Sequence, residues 1–139
     1  MARCFCVTFN RSKRHKFGWE IRPSFSVSQN GDRSEVLVIY QQIFGCGTIR
    51  PDRSDRTFKF EARSVSDLAT RVIPHFERYP LRSSKQKDLE RFAAIVQLMY
   101  DGAHLQSDGF VKIVDLAAAL NASSKKRFDR TAIAPEMNV

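Results

Sequence analysis

Apolar and polar residues alternate with a period of two in two segments near the start of the chain. The segments are CFCVTFNR, from Cys4 to Arg11, and WEIRPSFSVSQ, from Trp19 to Gln29. In the second segment the residues between the apolar positions are all polar: Glu20, Arg22, Ser24, Ser26 and Ser28. Strict alternation predicts two strands, each with one apolar and one polar face.

A second pair of strands is predicted further along the chain. CGTIR, which ends at Arg50, and RTFKFEA, which ends at Ala62, flank the turn PDRSD. Between the two hairpins the apolar residues have helical spacing up to Phe44. Asp32 is the predicted N-cap of that helix, with Glu35 completing a capping box, and Gly45-Cys46-Gly47 is predicted to end it.

Helical periodicity dominates the rest of the chain. One helix is predicted to be capped by Ser64 and to run to about Phe76. A second is predicted from about Lys85 to Tyr100, and a third opens with SDGF and runs to Leu120. The order ββ-α-ββ-α-α-α predicts an α+β fold, in which helices cover one face of a four-stranded antiparallel sheet. We expect one domain over residues 1–120 and a basic, loosely ordered tail over 121–139.

Composition narrows the class of partner. The 139 residues carry a net charge of +8 and a pI near 9.8, which favours a polyanion. No apolar run approaches the length of a membrane span, and the N-terminus does not have the pattern of a secretory signal. Three cysteines without framework spacing fit a reducing compartment. We therefore expect an intracellular protein, in the cytoplasm or in an organelle matrix if it is organelle-encoded, that does not bind membranes.

The polar strand faces and the hairpin tips are rich in residue types that contact nucleic acids. Serine, threonine, asparagine and arginine side chains hydrogen-bond to base edges and phosphates, and lysines reach phosphates. The candidate nucleic-acid-binding residues are Thr8, Asn10, Ser12, Lys13, Arg14, Lys16, Glu20, Arg22, Ser24, Ser26, Ser28, Thr48, Arg50, Arg53, Arg56, Thr57, Lys59 and Glu61.

Other candidate chemistry is weaker. Cys4-x-Cys6 with His15 lacks the second ligand pair of a zinc site, so no metal-binding residues are predicted. We interpret His75 and His104 as structural residues and Cys46 as a small buried residue. The carboxylates of Glu20 and Glu61 either accept hydrogen bonds from cytosine or pair with Arg22 and Lys59, and the sequence leaves both interpretations open.

Several stretches resemble the LAGLIDADG homing endonucleases, from about Cys4 to Arg127. They are KFGWEIRPSFSVSQ, FGCGTIR, PHFERYPLRSSKQKDLERF and ALNASSKKR. The resemblance implies an αββαββα fold whose saddle-shaped sheet lies in the major groove of double-stranded DNA. It also implies the family activity, which is site-specific hydrolysis of DNA that depends on a divalent metal such as Mg²⁺.

The chain departs from the family pattern at its start. In the family a signature helix precedes the first strand and ends in an acidic residue that binds the metal, and by register Ala2 occupies that place. Gln29 and Lys85 match two polar positions near the family's cleavage site and are the candidate catalytic residues. We therefore expect weak or no cleavage by this chain alone, and Mg²⁺ binding only if a partner supplies the acidic ligand.

Two further hypotheses remain beside DNA binding. Some family members assist intron splicing, so the second hypothesis is that the basic sheet binds structured RNA in a ribonucleoprotein. The signature helix also forms the family's dimer seam, and without it we expect exposed apolar surface near Phe5, Val7 and the inner helices. That seam would drive self-association or the binding of a partner subunit.

Overall fold

The computed structural model describes residues 2–52, 56–82 and 84–121, and four strands in this part of the chain form one antiparallel sheet. The strands are β1 (Ala2–Arg11), β2 (Trp19–Asn30), β3 (Thr48–Pro51) and β4 (Thr57–Ala62), in the spatial order β1-β2-β4-β3. Each predicted hairpin forms, and β2 joins β4 at the centre of the sheet. The predicted α+β fold is confirmed.

The helices follow the predicted order. They are α1 (Glu35–Phe44), α2 (Val65–Asp67), α3 (Ile73–Arg78), α4 (Ser84–Tyr100) and α5 (Ser107–Asn121). A π-helical segment (Leu68–Val72) joins α2 to α3, and short 3-10 helices cover Gly31–Arg33 and Ala103–Leu105. None of the helices in the described ranges is both long and apolar enough to cross a bilayer.

Aromatic side chains fill the space between the sheet and the helices. Phe25 of β2 lies at the centre, with its ring 5.2 Å from that of Phe5, 5.8 Å from that of Phe44 and 5.3 Å from that of Phe76. The ring of Phe92 from α4 lies 5.2 Å from that of Phe5. Because this core takes up the apolar face of the sheet, the opposite face is left to the polar residues.

The backbone just before β3 lies in close contact with β4 at Gly47. Gly47 has a φ of 91°, and a Cβ atom there would fall onto the ring of Phe60. Only glycine tolerates both the left-handed backbone and this contact. Glycine at this position therefore allows the segment that leads into β3 to lie directly against Phe60 of β4.

Asp32 is not the N-cap of α1, contrary to the sequence prediction. Residues Gly31–Arg33 form a 3-10 turn, α1 begins at Glu35, and its N-cap Ser34 makes no side-chain capping bond. The amide of Gly31 instead donates to the carbonyl of Arg56 at 2.6 Å. This contact with the β4 side of the sheet ties down the chain between β2 and α1.

The exposure predicted for Phe5 and Val7 at the seam is also wrong. Phe5 is 5% exposed and Val7 is 2% exposed, because Phe76 and Phe92 cover this part of β1. The larger exposed apolar side chains on α1 are Val38, Ile39 and Ile43. Any apolar association surface in the described part of the chain is therefore expected on the helices.

The cysteines differ from the expected reduced state. Cys4 and Cys6 lie on the same face of β1 with their Cα atoms 5.9 Å apart, and a disulfide joins them. This separation falls within the range that a disulfide spans. Cys46 is a free thiol. The predicted tail from residue 122 onward and the candidate residue Arg53 lie outside the described residues.

Candidate nucleic-acid interface

The strand registers bring the predicted polar residues into rows across the sheet. Ser26 lies opposite both Cys4 and Glu61, and Ser28 lies opposite Lys59, which in turn lies opposite Arg50. Directly opposed residues of antiparallel strands project from the same face. We call this surface the polar sheet face; its residues are Cys4, Cys6, Thr8, Asn10, Glu20, Arg22, Ser24, Ser26, Ser28, Thr48, Arg50, Thr57, Lys59, Glu61 and Arg63.

A shallow groove of about 360 Å³ runs along the polar sheet face. Small side chains form its floor, since Ser24, Ser26 and Ser28 follow one another along β2. Longer side chains, Arg22 and Arg63 among them, also line it. A low polar floor with cationic side chains around it suits a polyanion, because hydroxyl groups hydrogen-bond while the cations supply long-range attraction.

Glu20 and Arg22 form an exposed ion pair at one end of this face. The Nε atom of Arg22 donates to Oε1 of Glu20 at 2.7 Å, and Nη2 approaches Oε2 at 3.4 Å. The hydrogen bond from Arg22 lowers the pKa of the Glu20 carboxyl, and the same bond raises the pKa of Arg22. Of the two interpretations left open for Glu20, this structure shows the pair with arginine.

Glu61 is the most buried acidic residue of the polar sheet face and contacts three cations. Its Oε1 accepts from Nε of Arg63 at 2.7 Å and from Nη2 of Arg50 at 3.0 Å, while Oε2 lies 3.3 Å from Nζ of Lys59. Burial raises the pKa of the Glu61 carboxyl, but the hydrogen bond from Arg63 and the charge of Lys59 outweigh it, so the pKa is lowered. The carboxylate is therefore ionised at neutral pH.

Two of the predicted contact residues have little accessible surface. Ser26 is 7% exposed and Glu61 is 8% exposed. Both side chains therefore offer less surface to a partner than the cationic side chains of the same face do. Their neighbours Arg22 and Arg50, each with half of the side chain exposed, are better placed for such contacts.

Arg63 was missed by the sequence prediction. The predicted strand ends at Ala62, as does β4, so alternation was not continued beyond it. Arg63 nevertheless follows Glu61 by two positions, reaches the same carboxylate and lines the same groove. Counting the alternation one step past the apolar residues would have identified it.

The cationic side chains at the tip of the first hairpin point in two directions. The turn is held by a hydrogen bond from the amide of Ser12 to the carbonyl of Gly18, and Lys13 and Arg14 are exposed there. Lys16, which was predicted to contact nucleic acid, instead donates from Nζ to the carbonyl of Leu105 at 3.1 Å. This contact turns Lys16 toward the helices.

The candidate catalytic residues both lie at the end of the sheet where β1 begins and β2 ends. Nζ of Lys85, in the first turn of α4, donates to the carbonyl of Arg3 at 3.0 Å. Gln29 lies opposite Phe58, whose ring packs against the core, so Gln29 projects from the helical side of β2. Ala2, by contrast, lies opposite Ser28.

These residues do not by themselves make a Mg²⁺ site. Magnesium requires oxygen ligands, mostly carboxylates and water, whereas Lys85 is cationic and Gln29 offers one neutral amide oxygen. Among the residues that the structure describes, no group of three or more His, Cys, Asp and Glu side chains is placed to hold a metal ion.

His75, His104 and the free cysteine Cys46 are partly buried. The ring of His75 lies 5.1 Å from that of Phe44, and burial lowers the pKa of His75. Burial likewise lowers the pKa of His104, whose Nδ1 is buried without a hydrogen-bond partner in the described part of the chain. Burial raises the pKa of the Cys46 thiol. These environments favour neutral side chains.

An α+β domain with a cationic, polar sheet face is the architecture expected of the family suggested by the sequence, and comparisons with known proteins agree. The family model for LAGLIDADG endonucleases matches residues 3–96. The protein is 33% identical over 118 residues to the Neurospora crassa protein named probable intron-encoded endonuclease 2, covering 84% of this chain and 26% of that protein.

Solved structures show the same fold. The homing endonuclease I-TnaI superposes with a TM-score of 0.87 at 28% identity, covering 97% of this chain and 89% of that chain. I-SmaMI bound to an uncleaved DNA target superposes with a TM-score of 0.87 at 27% identity, covering 96% of this chain and 45% of that chain. The protein belongs to the LAGLIDADG endonuclease family.

The match covers only part of the longer relatives. This chain spans 26%, 22% and 44% of the first three curated relatives. Family membership therefore supports the fold and the position of the polar sheet face in this chain. It does not by itself assign to this chain the activity of a whole relative.

Proposed function

We propose that this protein is a sequence-selective binding domain for double-stranded DNA and that the polar sheet face contacts the duplex. The observation that carries the proposal is the arrangement of Arg22, Arg50 and Arg63 on that face. Each has about half of its side chain exposed, at 50%, 50% and 54%. Arginine is the side chain that most often makes a bidentate contact with guanine in the major groove.

Two other features support the proposal. The net charge of +8 favours a polyanionic partner, and the exposed Lys13 and Arg14 extend the cationic surface beyond the sheet. I-SmaMI, which shares the fold, has been solved on its DNA target. Antiparallel strands are also one of the elements that proteins insert into DNA grooves.

The first test is the salt dependence of duplex binding. Lysine and arginine contacts release counterions from DNA, so a protein with roughly six phosphate contacts should lose about a thousandfold in affinity between about 50 and 200 mM salt. We expect this slope in fluorescence anisotropy with a labelled duplex. An affinity that does not change over this range would contradict the proposal, and tighter binding to a structured RNA of equal length would favour the alternative partner.

Metal-dependent cleavage requires more than the described residues provide. We propose that Mg²⁺, if it acts here, needs an acidic ligand from a partner beside Lys85 and Gln29, because these two side chains cannot hold the ion. The chain alone should then leave supercoiled plasmid intact in the presence of Mg²⁺. Cleavage by the chain alone, unaffected by Lys85→Ala, would show that the catalytic residues lie elsewhere.

We also propose that the protein self-associates and that it acts inside the cell. The exposed Ile39 and Ile43 on α1 offer apolar surface for association, and curated relatives are named as intron-encoded proteins. A sedimentation experiment that finds a monomer at high concentration would contradict self-association. Intracellular placement, in an organelle matrix for an organelle-encoded protein, is testable by a fluorescent tag.

A further inference from the structure

A single buried carboxylate organises the cations at the β4 end of the polar sheet face. Glu61 is 8% exposed, whereas the side chains of Arg50 and Arg63 are 50% and 54% exposed. The carboxylate therefore lies beneath the two guanidinium groups and does not compete with them for solvent. Lys59, 23% exposed, closes the other side of the carboxylate.

The two arginines meet on one oxygen although they come from different strands. Nη2 of Arg50, on β3, and Nε of Arg63, just beyond β4, lie 3.0 Å and 2.7 Å from the same Oε1 atom of Glu61. Two guanidinium groups this close would repel each other without an anion between them. Glu61 removes that repulsion and fixes both groups to a common point.

The remaining edge of Arg63 has the geometry that base recognition needs. Glu61 accepts from Nε of Arg63, so the guanidinium edge formed by the two terminal nitrogens is the edge that remains for a base. Arginine donates to O6 and N7 of guanine through a pair of N–H groups held in one plane. A flexible arginine must be ordered when it binds, whereas an arginine already held by a carboxylate loses less freedom.

We propose that Glu61 is a positioning residue, which holds Arg50 and Arg63 as a preset pair of guanine-reading side chains. This inference rests on the proposed DNA-binding function and names residues within it that set specificity. Arg63 and Glu61 then act together: Arg63 contacts the base, and Glu61 acts only through the arginines.

Charge alone predicts the opposite effect for a change at Glu61. Replacing an acid with a neutral amide on a DNA-binding face adds one unit of positive charge, so every duplex should bind more tightly. A positioning role predicts that Glu61→Gln changes the affinity for random duplex and the affinity for the preferred duplex in opposite directions. Random duplex should bind about two- to fivefold more tightly, and the preferred duplex about tenfold more weakly, as expected when one bidentate contact is lost.

The experiment uses the full chain and a duplex selected by the wild-type protein from a randomised library. Affinity for this duplex and for a scrambled duplex is measured for wild type, Glu61→Gln and Glu77→Gln. Glu77 is exposed on α3, so its variant makes the same charge change on the helical side. We expect the ratio of the affinity for the selected duplex to the affinity for the scrambled duplex to fall at least tenfold for Glu61→Gln, on the order of one lost bidentate contact. The same ratio should stay constant for Glu77→Gln.

A Glu61→Gln protein that keeps the wild-type ratio would overturn the inference. Circular dichroism identifies a variant that does not fold; in that case the exposed Arg63→Gln carries the test, and an unchanged ratio for it is equally contradictory. A wild-type protein that selects no sequence from the library contradicts the proposed function itself, so the two failures are distinguishable.

Discussion

At the scale of single residues, the role that we propose for each arginine rests on the direction of its side chain. Arg22 projects from the polar sheet face and is held by Glu20, whereas Arg11 lies over the ring of Trp19 at 4.8 Å. Arg14 is exposed at the hairpin tip. An arginine fixed above a strand can read a base, while an exposed tip residue is suited to contacts with the phosphate backbone.

Substitutions at these two kinds of position should affect binding differently. Arg22→Ala should cost about 1 to 3 kcal/mol on the selected duplex and much less on scrambled DNA, because a bidentate base contact is lost. Lys13→Ala should weaken both duplexes to the same extent and reduce the salt slope by about one. Equal losses on both duplexes for Arg22→Ala, measured by anisotropy, would mean that Arg22 positions the backbone instead.

The direction of some side chains depends on contacts with residues that are distant in the sequence, so a local sequence pattern does not predict it. Lys16 was placed among the DNA-binding residues because it lies in a cationic turn, but its ammonium group bonds to Leu105, which is 89 positions away in sequence. Arg63 was missed because the apolar alternation ends before it. The direction of a charged side chain in a loop thus depends on tertiary contacts, whereas on a regular strand it follows from counting positions along the strand.

At the scale of elements, the strongly periodic segments were predicted well. The second strand was expected from Trp19 to Gln29 and extends one residue further, and the helix expected from Lys85 begins one residue earlier. Apolar burial at period 2 or 3.6 fixes these segments, since one face must enter the core. Asp32 failed as a cap because the bond from Gly31 to Arg56 fixes that turn from outside the helix.

The cap at Ser64, by contrast, forms as its sequence predicts. Its side-chain oxygen accepts from the amide of Asp67 at 3.3 Å and satisfies one free donor of α2. Ser64→Ala should lower the free energy of unfolding by about 1 kcal/mol, as loss of an N-cap does. Urea unfolding followed by circular dichroism tests this. The matched change Ser66→Ala, at an exposed position within α2, should have a smaller effect, and equal losses would argue against a capping role.

At the scale of the whole molecule, the two faces of the sheet have separate tasks. The apolar face binds the helices through a core of phenylalanines, so it fixes the curvature and position of the strands. The polar face then presents its side chains from a rigid support, which lowers the ordering cost on binding. We propose that duplex DNA binds on the polar sheet face and not on the helical side.

Two double variants with the same charge change test this claim most directly. Arg22→Ser/Arg50→Ser removes two positive charges from the polar sheet face, and Arg71→Ser/Arg78→Ser removes two from a groove between α1 and α3. In the polar-face variant both arginines have acidic partners, Glu20 for Arg22 and Glu61 for Arg50, and in the helical-side variant Arg71 lies 3.8 Å from Asp67. The affinity of each protein for the selected duplex is compared with that of wild type.

We expect a loss of at least about thirtyfold in affinity for the polar-face variant, because two base contacts worth roughly 1 to 3 kcal/mol each are removed. The helical-side variant should stay within about threefold of wild type, since only distant, screened charges change. Equal losses for the two variants, or a greater loss for the helical side, would contradict binding by the polar sheet face.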